Sequence, residues 1–180
     1  MSGRIRHRSL LKSLVVGTTS GLLGTVAMTQ FQNLWNQASE KIKPDQNANA
    51  GSVQSEEDNE DSTMKVAGKI AQATGHRLSK PERKSAGLWV HYGFGAAVGG
   101  IFGLLKEIGP RRARRLNPVL AGAGYGTAVF LGAHEVAVPA LKLSSSPFEE
   151  PVSDQVLEYL AHLIYGMGTA FAYESIRRAR

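Results

Sequence analysis

The sequence predicts an all-α protein, an integral membrane bundle of four transmembrane helices with glycine-rich packing faces. Three observations predict it: where charge is missing, where glycine falls, and where proline and capping residues stand. Four stretches, 13–39, 85–105, 116–134 and 159–173, contain no Asp, Glu, Lys or Arg. They total 82 of 180 residues, and at the chain's 20% charged content they should hold about 16 charges if charge were spread evenly. All 36 charges lie in the other 98 positions. A hydrocarbon layer ~30 Å thick enforces that partition, and a single soluble core does not. Chain averages, a net charge of +6 and a mean hydropathy of −0.18, conceal it. Fifteen of the twenty glycines fall in or beside these stretches, where small residues let helices approach in lipid.

The elements follow in order. Residues 1–12 form a basic N-terminus with Arg4, Arg6, Arg8 and Lys12. Thr25-Val26-Ala27 faintly resembles a signal-peptidase site, but a cleaved signal has a shorter apolar region of roughly 7–15 residues. Here the apolar run continues to Trp35, so an uncleaved first span is expected over 13–39. Residues 40–84 form an external acidic linker plus a short helix, and within it 45–61, with Gln46-Asn47-Ala48-Asn49 and Glu56-Glu57-Asp58-Asn59-Glu60-Asp61, is too polar to bury and expected to be disordered. A short helix closes this segment. From Met64 to Thr74, Val66, Ile70 and Ala73 recur at helical spacing against Lys65 and Lys69, which suits either a helix on the membrane surface or an ordinary loop helix.

Ser79-Lys80-Pro81-Glu82 reads as a capping box, starting a second helix whose span is 85–105 and which stops at Gly109-Pro110. A basic loop over 106–115 leads to Asn117-Pro118, a cap residue before Pro at the first helical position, and a third span over 116–138. After an external loop at 139–153, Ser153 is expected to cap a fourth span, 154–176, with a tail at 177–180. Its uncharged part reaches only about 22 Å, so Glu158 and Glu174 must lie at the interfaces or face protein. Lys and Arg number 4, 5 and 3 in the flanks on one side against 1 on the other, which puts both termini inside. The first loop, with eight bases and eight acids, is the exception to that rule.

Glycines repeat at four-residue spacing: Gly17 and Gly21; Gly95, Gly99 and Gly103; Gly122 and Gly126; then Gly166 with Ala170. A parallel row, Gly124, Ala128 and Gly132, runs beside the third set. Each row occupies one helix face and predicts a seam in a closely packed bundle, with room left for a homo-oligomer.

With both termini inside, His91, His134, Glu135 and His162 reach one depth in the outer leaflet, and Gln30 approaches it from the first span. The inner halves are expected to be almost wholly Gly, Ala and aliphatic. Intramembrane ionisable groups are functional candidates by default. Four roles suit the cluster: interhelical stapling, a response to pH, metal binding by histidines with Glu135, and haem ligation by His91 and His162. No local ligand spacing supports a metal, so no metal or cofactor is expected. The absence of cysteine excludes disulfides and thiolate chemistry, and no nucleophile motif points to a catalytic residue.

Three blocks carry a family resemblance: Trp89-Val90-His91-Tyr92-Gly93-Phe94-Gly95, Gly132-Ala133-His134-Glu135-Val136-Ala137-Val138-Pro139-Ala140-Leu141, and Ala161-His162-Leu163-Ile164-Tyr165-Gly166 with Glu174 and Arg177-Arg178. They resemble the YagU-like inner-membrane proteins, a bacterial family without an assigned biochemical function, over most of 17–178. An acidic residue often stands in that family where this chain has His134, so a three-histidine site would not be general to it. The resemblance implies a bacterial inner membrane and supplies no catalytic residue. The expected role is a non-enzymatic membrane protein whose His/Glu cluster responds to pH or supports the envelope, with the bilayer as partner and no nucleic acid. The alternative is an oligomeric module moving protons or a small solute.

Overall fold

The computed structural model describes residues 2–42, 62–132 and 152–179, and among these there is no strand. Six helices form: α1 Ser2–Ile42, α2 Ser62–Ala73, α3 Lys80–Ile108, α4 Arg111–Arg114, α5 Pro118–Val129 and α6 Val152–Arg178. The acidic linker from 43 to 61 and the segment 133–151 lie outside the described residues.

Local chemistry explains the helix starts. The Glu82 carboxylate reaches back to the Ser79 N–H at 2.8 Å and accepts the Ser79 hydroxyl at 2.6 Å, which holds this exposed carboxyl below its ordinary pKa. Asn117 accepts the Val119 N–H at 2.8 Å, with Pro118 where a donor is not needed. Gly109 ends α3 in extended backbone, its N–H still bonded to the Leu105 carbonyl. At the fourth helix the expectation changes. The helix begins at Val152, so Ser153 lies in its first turn, its hydroxyl donating to Asp154 at 3.1 Å.

α1 has 41 residues, longer at both ends than the span expected at 13–39, and at about 60 Å it exceeds the ~30 Å of a hydrocarbon core. The third span, expected over 116–138, is described only as far as 132. It is α-helical to Val129 and widens into a π turn over 130–132, beyond which the chain is outside the described residues. By length and composition two helices can cross a membrane, 9–39 and 80–108, while the apolar helix over 118–132 is shorter. α6 has the length but carries Asp154, Glu158, Glu174, Arg177 and Arg178.

Helices α1, α3, α5 and α6 alternate in direction. α1 packs antiparallel on α3 and α6, and α5 packs antiparallel on α6. Glycine sets the first of these contacts. A Cβ added to Gly17 would come within 2.9 Å of the Gly103 Cα, and one added to Gly99 within 2.7 Å of the Gly21 nitrogen. The α5–α6 seam repeats the arrangement, with 2.6 Å from Gly122 to the Met167 Cα and 2.6 Å from Gly166 to the Gly126 nitrogen. Between the two pairs, Gly24 faces the Tyr165 carbonyl and the Thr169 hydroxyl. Among the described residues, Gly124 and Gly132 meet nothing within 4 Å and Ala128 is exposed, so this row makes no seam with another described helix.

The fourth side is closed by aromatic side chains. Tyr125 of α5 donates its hydroxyl to the Val98 carbonyl of α3 at 2.6 Å, and its ring lies 5.0 Å from Phe102. Phe102 in turn meets Tyr173 of α6 edge-on at 5.6 Å. α2 packs on α3 through Met64, Ala67 and Ala71, with Met64 seated over Gly87. The face read from the sequence, Val66, Ile70 and Ala73, is not the buried one, because small Ala67 and Ala71 permit a closer approach than branched Ile70, which is 56% exposed.

One substitution made at two glycines separates seam from surface. Gly99→Ala should lower stability by roughly 1–3 kcal/mol through overpacking against α1. Gly124→Ala, in open space, should be neutral or raise it by about 0.5–1 kcal/mol through helix propensity. Thermal unfolding of the purified variants checks both, and equal loss at the two positions would contradict the seam assignment.

Candidate functional site

Polar side chains gather at the two ends of the bundle. One end holds Trp35 and Trp89, the latter 81% exposed; the other holds Arg111, Arg112, Arg115, Arg177 and Arg178, all exposed.

At the tryptophan end, the Tyr165 hydroxyl of α6 donates to the Gly95 carbonyl of α3 at 2.7 Å and levels these two parallel helices. His91, a turn before Gly95, and His162, a turn before Gly166, therefore stand at one depth. They occupy different seams. His91 Nε2 lies 3.4 Å from the Thr29 hydroxyl of α1, while the His162 ring meets Phe130 of α5 edge-on at 5.5 Å. His162 Nδ1 is 2.8 Å from the Glu158 carbonyl, which must accept, so Nδ1 carries the proton and Nε2 is the atom whose role changes with charge. The Glu158 carboxylate stands 3.9 Å from His162 Nδ1 and accepts the Gln32 amide of α1 at 3.3 Å. Tyr159 and Thr127 share a hydroxyl contact at 3.1 Å, beside Phe130.

Of the residues selected from sequence, His91 and His162 lie at this end, Gln30 is exposed and its neighbour Gln32 makes the interhelical bond, and His134 and Glu135 lie outside the described residues. Glu158 is the carboxylate that the described structure supplies beside His162. Its position was legible only as a helix residue needing protein or interface. Among the described residues, no group of three His, Asp or Glu side chains is placed to hold a metal ion.

At the arginine end, Lys106, expected in the basic loop after the second span, meets Glu174, expected to lie at an interface or to face protein. Lys106 is 6% exposed, and its ammonium lies 2.9 Å from the Glu174 carboxylate of α6 and 3.2 Å from the Arg114 carbonyl. The neighbouring Glu107 accepts the hydroxyls of Ser9 and Ser13, the second at 3.2 Å. Arg114 donates to the Glu107 carbonyl at 3.4 Å, fastening the loop after α3 to its last turn. The signal for this group was present, since Lys106 and Glu107 directly follow the charge-free stretch 85–105 and Glu174 ends another. What was missing was the helix rotation that turns Lys106 inward.

Between the ends, Ser20, Thr25 and Thr169 are fully buried. Ser20 and Thr25 return their hydroxyls to carbonyls of their own helix, Val16 at 2.7 Å and Gly21 at 2.9 Å. That local bonding lets small polar residues line a seam without a solvated path.

These features define the class, an all-helical protein with glycine seams and two helices apolar and long enough for a bilayer. Residues 32–171 match the family described as "Protein of unknown function (DUF1440)", and the chain belongs to that family. The match includes His91, His162 and Lys106; Gly17, Gly21 and Glu174 lie outside it. No curated protein and no solved structure matches the chain.

The buried ion pair gives a signed prediction. Lys106→Met leaves the Glu174 carboxylate uncompensated and should cost about 3–5 kcal/mol. Adding Glu174→Leu removes that charge and should restore most of the stability. A double-mutant cycle by thermal unfolding measures this, and additive losses would mean the two side chains are not coupled.

Proposed function

We propose that this chain is a multi-pass protein of a bacterial inner membrane in which α1, α3, α5 and α6 all cross. The observation that carries the reading is the inverted distribution of side chains. Leu14, Val15, Leu22, Leu23 and Val26 of α1 and Phe94, Ile101 and Leu105 of α3 face outward, whereas glycine, Ser20, Thr25 and Thr169 are inside. Only 39% of the most apolar window of α1 and 28% of that of α3 is buried among the described residues, which supports hydrocarbon as the cover for the rest. The core helix of a soluble domain would be mostly covered. Alternating helix directions favour an even number of crossings, and the clustered arginines favour a cytoplasmic location for both termini. The YagU-like resemblance supports the inner membrane. The described helix over 118–132, α5 with its π turn, covers about 22 Å of the hydrocarbon layer.

Within that frame the protein serves as a non-enzymatic membrane component whose outer-leaflet polar groups respond to pH or support the envelope. His91, His162 and Glu158 join α1, α3, α5 and α6 at the end that would face outside. Protonation turns His162 Nε2 from acceptor to donor beside these helices, which gives a route from acidity to packing. Transport is the weaker reading, because the glycine seams close the bundle and the buried Ser20 and Thr25 hydroxyls bond within their own helix.

The chain has no cysteine, so single cysteines report topology without background. One placed in 46–61 should react with an impermeant thiol reagent in intact cells, and one at Arg112 should not. Labelling at Arg112 would overturn the orientation. A thermal-stability transition between about pH 5 and 7 is expected, shrinking when His91→Ala and His162→Ala are combined. A flat pH profile in the parent protein would leave these histidines as staples of the bundle.

A further inference from the structure

The segment joining α2 to α3 breaks the charge rule that orients the rest of the chain. Residues 62–84 carry Lys65, Lys69, Arg77, Lys80, Arg83 and Lys84 against the single acid Glu82. They lie at the tryptophan end, opposite the arginine end, where a concentration of bases works against the topology.

The backbone gathers part of this charge into a cleft. α2 ends in a Schellman turn: the His76 N–H bonds the Ala71 carbonyl at 2.8 Å, and the Gly75 N–H bonds the Gln72 carbonyl at 3.0 Å. Gly75 has a φ of +79°, which a side chain would strain. The turn sends Arg77 and Leu78 back along α2 and uses carbonyls that would otherwise present negative charge. Arg83, from the first turns of α3, bonds the Leu78 carbonyl through Nε at 3.2 Å, which fixes the plane of its guanidinium. Its stem crosses α2 at Gly68, where an added Cβ would touch Arg83 Cδ at 3.6 Å. Gly68, Gln72, Arg77, Leu78 and Arg83 thus line an open cleft of about 190 Å³.

We propose that this cleft binds a phosphate-bearing anion, gripped by Arg77 and Arg83 with Gln72 as a neutral donor. Guanidinium groups match phosphate oxygens in pairs, and the helix-end carbonyls that would repel the anion are already bonded. Leu88 and Trp89 are exposed about a turn further along α3, and Ile70 is exposed on α2. On the membrane reading above, on which the lipid form of this proposal rests, these side chains set the interface at the cleft, the depth of phospholipid headgroups.

The test uses the full chain in mild detergent with equimolar phosphatidylglycerol and phosphatidylcholine, read by native mass spectrometry. The parent protein should retain phosphatidylglycerol preferentially, and Arg77→Gln with Arg83→Gln should lower that retention roughly tenfold. Gly68→Leu keeps every charge, favours the helix and fills the cleft, so it should lose retention as well. Arg111→Gln with Arg112→Gln, at the other end, should not. A parallel titration with inorganic phosphate, followed by calorimetry, separates the sources: heat that disappears in both cleft variants assigns a free anion, and its absence with lipid retention assigns the headgroup. Retention of phosphatidylglycerol by Gly68→Leu would overturn the cleft in favour of diffuse charge, and no preference for either anion in the parent would overturn the proposal. Incorporation into phosphatidylcholine nanodiscs tests the membrane reading by itself, since the cleft variants should incorporate as the parent does. If no variant incorporates, the membrane reading fails and the phosphate titration still decides the cleft.

Discussion

Backbone-to-backbone approach at glycine is the constraint on which the rest of the bundle depends. At the α1–α3 seam the position of an absent Cβ on Gly17 points at the Gly99 carbonyl, and that on Gly99 returns to Gly17. Gly21 faces the Gly95 carbonyl, and Gly103 that of Ser13. A glycine Cα hydrogen occupies each position, so the seam is a reciprocal set of Cα–H to carbonyl contacts, each contributing about 0.5–1 kcal/mol. Such contacts need no desolvation of large polar groups and no loss of side-chain freedom, which suits helices without a hydrophobic drive to associate. They also fix register. The Thr29–His91 contact, the Ser13–Glu107 bond and the position of Lys106 all follow from which glycine meets which carbonyl.

Much of this was readable in sequence, and the unreadable parts share a physical reason. Asn117-Pro118 and Ser79 through Glu82 act within a turn of chain, so their effect is visible locally. The four-residue spacing at Gly17, Gly95 and Gly122 reports a helix face, because only one rotation of the helix puts all its members on a neighbour. Spacing alone does not say which of two parallel rows is covered. Gly122 and Gly126 meet α6 while Gly124 and Gly132 meet open space, and the choice belongs to the partner helix. The same holds for α2, where small Ala67 and Ala71 outcompeted the more apolar Ile70 for contact with α3. Lys106 and Glu174 were both visible as charges flanking apolar stretches, but their pairing depends on two helices turning toward each other.

The two ends of the bundle do different chemistry with similar residues. At the arginine end the buried ammonium of Lys106 is matched by one carboxylate and one carbonyl, an arrangement whose charge is balanced and whose partners hold one geometry. At the tryptophan end, imidazole, hydroxyl and amide groups predominate around Glu158. Imidazole and hydroxyl can exchange donor and acceptor roles without moving a helix. One end is therefore set and the other adjustable, and the same glycine seams hold both in alignment.

The tyrosine that links α5 to α3 gives the bundle an unequal perimeter. The described glycine approaches join α1 to α3, α1 to α6, and α5 to α6, and none joins α3 to α5. There the closure is one hydroxyl reaching a carbonyl, with ring contacts behind it. Three walls have a width set by covalent geometry, and the fourth has a width set by a side-chain torsion. Rotation about the Tyr125 Cα–Cβ bond would break that link without separating any glycine from its carbonyl. Substitutions at Tyr125 therefore act on one wall of the bundle, whereas a substitution at a seam glycine acts on two helices at once.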